Sequence, residues 1–155
     1  MQKVSTFLWF DDGAEDAATL YTSLIPGSRI LDVKRFGDAM PGGLIVVTFT
    51  LGGVEYQAMN GGPGFPFTEA ISLSVICDDQ AEVDRLWEAL TADGGEESMC
   101  GWLKDRWGVS WQIVPRRLVE LQSDPDPARA ARANQAMLGM RKLDIAALEA
   151  AADGR

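Results

Sequence analysis

Two stretches of this chain are near copies of one another, and they constrain the fold more than any other feature. GVEYQAMN (53–60) and GVSWQIVP (108–115) both read Gly-Val-x-aromatic-Gln followed by two apolar residues. A second match pairs DDGAE (11–15) with DDQAE (78–82), each where a predicted strand meets a predicted helix. Because both matches fall at equivalent points of the same order of elements, we predict an internal duplication.

The first copy is predicted to span residues 1–60 with the order β-α-β-β-β. Its strands, rich in β-branched and aromatic residues, are predicted at 3–10, 29–36, 44–51 and 54–60. A helix is predicted at 11–25, where the apolar residues of one side are Ala14, Ala17, Ala18, Tyr21 and Leu24. Asp11 or Asp12 is expected to cap that helix by accepting first-turn amide hydrogen bonds.

The second copy, 69–115, is predicted to be shorter. A strand at 70–77 precedes a helix at 78–92, and a hairpin follows at 100–105 and 109–115. The helix is expected to bury Val83, Leu86, Trp87 and Leu90. From Asp12 to Gln57 is 45 positions and from Asp79 to Gln112 is 33, a difference of 12, so the middle strands of this copy must be clipped.

Residues 116–155 are predicted to form a helical extension of the same structural domain. Asp126 and Pro127 are suited to the cap and first turn of a helix. An apolar stripe is formed by Met137, Leu138, Met140, Leu143, Ile145 and Leu148. This stripe either covers the body of its own subunit or pairs with a second subunit.

Charge and composition exclude several classes of function. A formal net charge of −9 argues against nucleic acid as a partner, because phosphate backbones require a basic face. No apolar run approaches the ~18 residues that a membrane span needs, and the N-terminal stretch lacks the apolar region of a secretory signal. Two cysteines, Cys77 and Cys100, favour a reducing cytoplasm. Cys100, near Lys104 and Arg106, is read as a structural thiol, with a reactive thiol as the alternative.

Strand alternation predicts where the repeated glutamines point. Gln57 shares a face with Glu55 and Met59, and Gln112 shares one with Ser110 and Val114, whereas the aromatic neighbours Tyr56 and Trp111 must lie under the helices. The first strand of each copy adds further residues to the glutamine face: Ser5, Phe7 and Trp9, then Ser72 and Ser74. Two such faces side by side would form a trough with polar groups among aromatics.

Long blocks of the chain resemble a known family. FLWFDDGAEDAATLYTSLIPGSRI, AMNGGPGFPFTEAISLSV, CGWLKDRWGVSWQIVP and AMLGMRKLDIAALEAA are similar to the PhnB-like (3-demethylubiquinone methyltransferase-like) branch of the vicinal-oxygen-chelate, or glyoxalase/bleomycin-resistance, superfamily. The resemblance covers nearly the whole chain. It implies an α+β fold in which two βαβββ modules form a curved glyoxalase-like sheet, with C-terminal helices added.

The resemblance also implies where a metal would bind. Metal-dependent members carry ligands on the first and last strands of each module, and the matching positions here are Ser5, Gln57, Ser72 and Gln112. None is a histidine, carboxylate or cysteine, and the chain contains no histidine at all. Because neutral amides and hydroxyls do not offset the dehydration of a divalent cation, we expect no bound metal and no other cofactor. Glu55 or Glu69 could supply a carboxylate if the register slips or a loop folds inward.

Two functions from different classes remain open. The first is a small-molecule-binding protein, a homodimer without a metal, whose ligand contacts are Ser5, Phe7, Trp9, Gln57, Met59, Ser72 and Gln112. The second is a divalent-metal-dependent lyase, isomerase or dioxygenase that acts on vicinal oxygens. A third, weaker reading is an interaction protein that fills the trough with its own side chains. No catalytic residue is assigned. The run GGPGFPF does not follow a strand that opens into a helix, so it does not support a methyltransferase.

Overall fold

A computed structural model describes residues 2–155 of the protein, and these residues form two compact units. The first unit ends at Phe67 and the second begins at Thr68. Each unit contains one four-stranded sheet, and the two sheets have the same strand order when their strands are counted within the unit. The predicted α+β class with two βαβββ modules and C-terminal helices is confirmed.

The first unit follows the predicted order of elements. These are β1 (Thr6–Phe10), α1 (Ala14–Leu24), β2 (Arg29–Arg35), β3 (Ile45–Leu51) and β4 (Val54–Asn60), with a 3₁₀ turn at Gly37–Ala39. The sheet order is β1-β4-β3-β2, with β1 parallel to β4 and the other pairs antiparallel. Strand β1 begins three residues later than predicted.

Helix α1 packs on one face of this sheet. Four of the five residues predicted on its apolar side are buried, Ala14, Ala17, Ala18 and Tyr21, whereas Leu24 in the last turn is half-buried. The three alanines let the helix lie close to the strands. The Tyr21 ring lies 6.5 Å from the Phe49 ring, which stacks on Tyr56 at 5.6 Å. The aromatic residue before Gln57 therefore lies on the helix side of the sheet.

The predicted aspartate cap of α1 is wrong. Gly13 occupies the cap position with φ 82°, and no side chain caps the helix. The Asp12 Oδ1 atom instead accepts a hydrogen bond from the Gly13 N–H at 2.8 Å. The left-handed turn at Gly13, which a residue with a Cβ rarely adopts, separates the aspartates from the first-turn amides.

The second unit repeats the arrangement with shorter middle strands. Its elements are β5 (Ser72–Cys77), α2 (Gln80–Thr91), β6 (Glu96–Glu97), β7 (Trp102–Lys104) and β8 (Ser110–Pro115), with a 3₁₀ turn at Ala92–Gly94. Strands β6 and β7 have two and three residues, against seven in β2 and seven in β3. The predicted clipping is confirmed, although the two-residue β6 was not predicted.

The core of the second unit lies between α2 and the sheet. The predicted residues Val83, Leu86, Trp87 and Leu90 are all buried. Here the cap is an aspartate: the Asp79 carboxylate accepts a hydrogen bond from the Glu82 N–H at 2.9 Å.

The hairpin between β7 and β8 is built around one buried carboxylate. Asp105 is 3% exposed, and its Oδ1 atom accepts hydrogen bonds from the backbone N–H groups of Trp107 and Val109, both at 3.0 Å. Its Oδ2 atom accepts from Trp111 Nε1 at 3.0 Å. One side chain thus fixes both the turn and the indole in the core.

The C-terminal helices pack on the second unit. They are α3 (Arg116–Gln122), α4 (Pro127–Leu138) and α5 (Ile145–Ala152). Their shared core contains Leu118, Leu121, Ala133, Leu143, Leu148 and Ala152. Asp126 caps α4 with Pro127 in the first turn, as predicted. Within residues 2–155, no helix has the length and apolar character needed to cross a membrane.

Hydrogen bonds attach this tail to the sheet and to α2. The Gln80 Nε2 atom donates to the Leu143 carbonyl at 3.0 Å, and its Oε1 atom accepts from the Ile145 N–H at 2.8 Å. The Gly101 N–H donates to the Arg141 carbonyl at 2.8 Å. Leu143 and Leu148 of the predicted apolar stripe are thus buried within their own chain, whereas Leu138 of the same stripe is 55% exposed, and pairing of the stripe with a second subunit stays a prediction.

Replacing the buried carboxylate is expected to destabilise the second unit. Asp105→Asn places an amide NH₂ against an N–H donor and removes the charge that three donors share, so we expect the free energy of unfolding to fall by about 2 kcal/mol or more. Urea denaturation measures it. The matched control is Asp93→Asn, because Asp93 is an exposed acid with φ 55° and asparagine tolerates that conformation. Equal losses in the two variants would contradict the role of Asp105.

Candidate functional site

The repeated glutamines make the same hydrogen bond in both units. Gln57 Nε2 donates to Ser5 Oγ at 3.0 Å, and Gln112 Nε2 donates to Ser72 Oγ at 2.9 Å. The register is equivalent as well, since Gln57 pairs with Phe7 and Gln112 with Ser74, each two residues after the serine. The four positions that the family resemblance marks for metal ligands are therefore two matched serine–glutamine pairs.

Both pairs lie on the face of the sheet turned away from the helix of the same unit, called here the distal face. Gln57 and Gln112 are half-buried, whereas their neighbours Ala58 and Trp111, which point the other way, are 1% exposed. The predicted orientation of the glutamines relative to the helices is confirmed. Each amide keeps its Oε1 atom free of a protein donor among residues 2–155.

The distal face of the first unit adds aromatic surface. Phe7 is 48% exposed and is the strand partner of Gln57, and Trp9 is the strand partner of Met59. The structure thus brings together five of the seven predicted ligand contacts on this sheet: Ser5, Phe7, Trp9, Gln57 and Met59. The remaining two, Ser72 and Gln112, lie together on the second sheet.

Trp9 is held in place by the glycine-rich segment that follows β4. Its Nε1 atom donates to the Gly62 carbonyl at 2.8 Å, and Phe65 packs edge-on at a ring distance of 5.0 Å. A Cβ atom on Gly61 would lie 2.4 Å from the indole ring carbons, so only glycine fits beneath the ring. Strand alternation predicts the face on which Trp9 lies, but no local pattern links it to these glycines.

Two of the cavities on the first unit are lined by predicted ligand contacts. One, of about 330 Å³, is lined by Gln57 together with Glu55, Asp32, Lys34 and Thr48. The other, of about 610 Å³, is lined by Trp9, Met59 and Asn60. Both are of the size that holds a small organic molecule.

The donors on the distal faces do not suit a divalent metal ion. The serine and glutamine side chains are neutral and hydrogen-bonded to each other. Among residues 2–155, no three histidine, cysteine, aspartate or glutamate side chains come together as a metal-binding group. Glu69 forms an ion pair with Lys104, and the hydrogen bond from Lys104 lowers the pKa of the Glu69 carboxyl. Glu55 is 7% exposed and shares its cavity with a cation, Lys34, and with a second carboxylate, Asp32.

Neither cysteine is built as a nucleophile. Burial raises the pKa of the Cys77 thiol to about 12. The Cys100 thiol lies 3.9 Å from the Leu138 carbonyl, and the cations predicted to activate it are paired elsewhere, Lys104 with Glu69 and Arg106 with Asp93. The structural reading of these thiols is therefore the better supported one.

Comparison with known proteins identifies the relatives of this chain. Residues 2–114 match the family model described as 3-demethylubiquinone-9 3-methyltransferase. A 3-demethylubiquinone-9 3-methyltransferase-like PhnB protein from Bacillus cereus is 36% identical, with a TM-score of 0.68 over 74% of this chain and 99% of that one. No curated protein sequence matches the chain.

More distant structures share the fold alone. A protein from Pseudomonas aeruginosa is 24% identical, with a TM-score of 0.60 over 74% of this chain and 98% of that one. The fosfomycin resistance protein FosX from Listeria monocytogenes is 17% identical, with a TM-score of 0.55 over 77% of this chain and 94% of that one. By the family match and the identity to the Bacillus protein, this chain belongs to the PhnB-like 3-demethylubiquinone-9 3-methyltransferase family of the vicinal-oxygen-chelate superfamily.

Proposed function

We propose that the protein binds a small, partly aromatic organic molecule on the distal faces of its sheets without a resident metal ion. The proposed contacts are Ser5, Phe7, Trp9, Gln57 and Met59 in the first unit and Ser72 and Gln112 in the second. The observation that carries the proposal is the matched serine–glutamine pairing, which puts neutral hydrogen-bonding groups where metal-dependent relatives are expected to hold charged ligands.

The aromatic residues of the first unit support this proposal. The Trp9 ring is already oriented by Gly61, Gly62 and Phe65, so a ligand that stacks on it loses little side-chain entropy. Phe7 exposes apolar surface that a bound molecule would cover. The Gln57 amide oxygen beside them can accept one directed hydrogen bond, which would orient the ligand.

A metal-dependent activity is less well supported. One FosX structure is of a complex with Mn(II), but the likeness of this chain to FosX extends only to the fold. A divalent ion here would have to recruit Glu55 or Glu69. Glu69 is held by Lys104, and Glu55 lies in a cavity where Lys34 offsets one of the two carboxylates, Asp32 and Glu55, so a single negative charge is in excess against the two positive charges of such an ion.

We do not propose the methyltransferase activity that the family description names. In this chain the glycines of GGPGFPF lie in the segment between β4 and β5, where Gly61 and Gly62 contact Trp9, and they do not open a helix after a strand. They therefore lack the arrangement that lets helix N–H groups and glycine backbone bind a nucleotide-type cofactor. Ligand binding, with or without a later reaction, is the function that the residues support.

We further propose that the two units arose by internal duplication, and that the chain acts in the cytoplasm as a homodimer. The equal strand orders and the matched serine–glutamine pairs support the duplication. The two free cysteines fit a reducing compartment.

Strand β5 is an edge strand of its sheet and carries Ile76, which is 41% exposed, and such edges are suited to pairing with another chain.

Moving the Trp9 ring is expected to abolish recognition of aromatic ligands. Gly61→Ala puts a methyl group where the indole lies, so we expect a shift of the Trp9 indole N–H resonance and at least about a tenfold loss of affinity for aromatic compounds found by a thermal-shift screen. The control is Gly64→Ala in the same segment, where an added Cβ meets nothing within 4 Å. Equal affinity in both variants would reject the Trp9 surface as the ligand site.

Metal analysis separates the proposal from its alternative. Protein purified without an affinity tag is expected to contain substoichiometric Mn, Fe, Ni and Zn by elemental analysis, and added Mn²⁺ is expected to leave the melting temperature unchanged, because specific binding would raise it. Stoichiometric metal that is lost in Glu55→Gln would instead favour the metal-dependent lyase, isomerase or dioxygenase.

The homodimer is tested by sedimentation. We expect a mass of twice 16.8 kDa for the unmodified chain and a shift towards the monomer for Ile76→Lys, because an edge lysine opposes strand pairing. Val119→Ser, at a similarly exposed apolar position on α3, serves as the control and should leave the mass unchanged. A monomeric unmodified chain at micromolar concentration would contradict the dimer.

A further inference from the structure

The hydroxyl of Ser110 is buried without a hydrogen-bond partner. Ser110 is 2% exposed, and its Oγ atom has no partner in the part of the chain that the structure describes. Buried side-chain polar atoms are nearly always hydrogen-bonded, because an unsatisfied one keeps the cost of losing water without compensation. A buried hydroxyl without a partner that borders a cavity therefore indicates that a ligand group in the cavity makes the missing hydrogen bond.

Ser110 lines such a cavity on the distal face of the second unit. The cavity has a volume of about 160 Å³ and is lined also by Glu69, Glu96, Ser98, Trp102 and Lys104. The register places these residues side by side, since Lys104 pairs with both Ser110 and Glu96 across the sheet. At roughly 30 Å³ per water molecule, the volume corresponds to about five waters, so it holds the end of a ligand rather than a whole drug-sized molecule.

The charges around this cavity favour a cation. Lys104 is the one cation that lines it, and Lys104 is already paired with Glu69. Glu97, which also lines it, accepts a hydrogen bond from Trp87 Nε1 and faces Arg141 at 3.6 Å. Glu96 forms no ion pair among residues 2–155 but is the strand partner of Lys104, so Lys104 faces two carboxylates, Glu69 and Glu96, and one negative charge is in excess. An anion would be repelled, whereas an ammonium group would balance the charge.

The equivalent position in the first unit is also a buried polar residue. Glu55 lies two residues before Gln57, as Ser110 lies two before Gln112, and Glu55 is 7% exposed. Each unit therefore carries a polar side chain below the surface of its distal face, next to the glutamine. In the second unit that side chain is a neutral hydroxyl, whose oxygen can accept a hydrogen bond from an ammonium N–H, so the charge of the ammonium has to be balanced by a neighbouring carboxylate.

We infer that the Ser110 cavity binds the ammonium end of an amine-bearing ligand. In this arrangement an ammonium N–H donates to Ser110 Oγ, Glu96 balances the charge, and the methylene next to the nitrogen contacts the Trp102 ring, whose face attracts cations. The inference rests on the proposed function, because the cavity shares its sheet face with Ser72 and Gln112. It adds a substrate class to that function: molecules with a primary or secondary amine.

The test uses ethylammonium as the probe and acetate and ethanol as comparison compounds, with backbone amide NMR of the full chain. We expect ethylammonium to shift the resonances of Ser110 and Lys104, and acetate and ethanol to have at most a small effect. Ser110→Ala is expected to weaken ethylammonium binding at least about fivefold, and Ser74→Ala, an exposed serine of the same sheet face, to leave it unchanged. Equal responses to acetate and ethylammonium would overturn the inference.

Stability gives a second readout that does not depend on the probe. Because Ser110→Ala removes an unsatisfied buried hydroxyl, its melting temperature without ligand is expected to rise by roughly 2–6 °C. A fall of that size would show that the hydroxyl is structural and would overturn the inference. If Ser110→Ala fails to fold, the hydroxyl is likewise structural and the inference is overturned.

A third variant, Glu96→Gln, tests the role of the Glu96 charge. Together with Ser110→Ala and Gly61→Ala it distinguishes this inference from the proposed function. Glu96→Gln, at an exposed position, is expected to keep the melting temperature and weaken ethylammonium binding about threefold or more, with a smaller effect at high salt. An unchanged affinity would reject the cation. The Gly61→Ala variant tests only the binding of aromatic ligands. If its affinity for them is unchanged, the proposed function is rejected, whereas the inference about Ser110 is decided by ethylammonium binding alone.

Discussion

The alternation of side chains along β4 and β8 connects the core of each unit to its candidate binding surface. Ala58 in the first unit and Trp111 in the second are buried on the helix side, and the strand geometry then sends Gln57 and Gln112 to the opposite face. Neither glutamine can turn inward without exposing its neighbours to water. The free energy gained by burying the helix side thus also fixes which groups a ligand can meet.

The serine–glutamine pairs determine the chemistry available on those faces. In each unit, the glutamine side-chain amide donates to the serine hydroxyl, and its carbonyl oxygen accepts no hydrogen bond from another residue among 2–155. Such a pair is uncharged at any ordinary pH, so it can orient a neutral polar group but cannot compensate a divalent ion. Membership of a superfamily with metal-dependent relatives therefore does not by itself transfer their reaction to this chain, because function depends on the residues at the site.

The two units use the same frame differently. The first has long strands and an aromatic surface in which the hydrogen bond to Gly62 holds the Trp9 ring in place. The second has clipped strands, a turn organised by Asp105, and an unsatisfied hydroxyl at Ser110. A buried hydroxyl without a hydrogen-bond partner lowers the stability of the folded unit. The C-terminal helices add a separate core to this second unit.

Local patterns in the sequence determined most of the order of elements, most of the buried residues of α1 and α2, and the faces of the glutamine strands, because a 3.6-residue or two-residue period is set by backbone geometry alone. Tertiary structure decided the rest. Trp9 is oriented by Gly62, 53 positions away, and Ser5 meets Gln57 across 52 positions, so neither contact leaves a local signal. Gly13 displaced the predicted aspartate cap, and the two-residue β6 is too short to show alternation. Whether the hydroxyl of Ser110 finds a partner depends on what three strands place around it, and a single strand's pattern contains no such information.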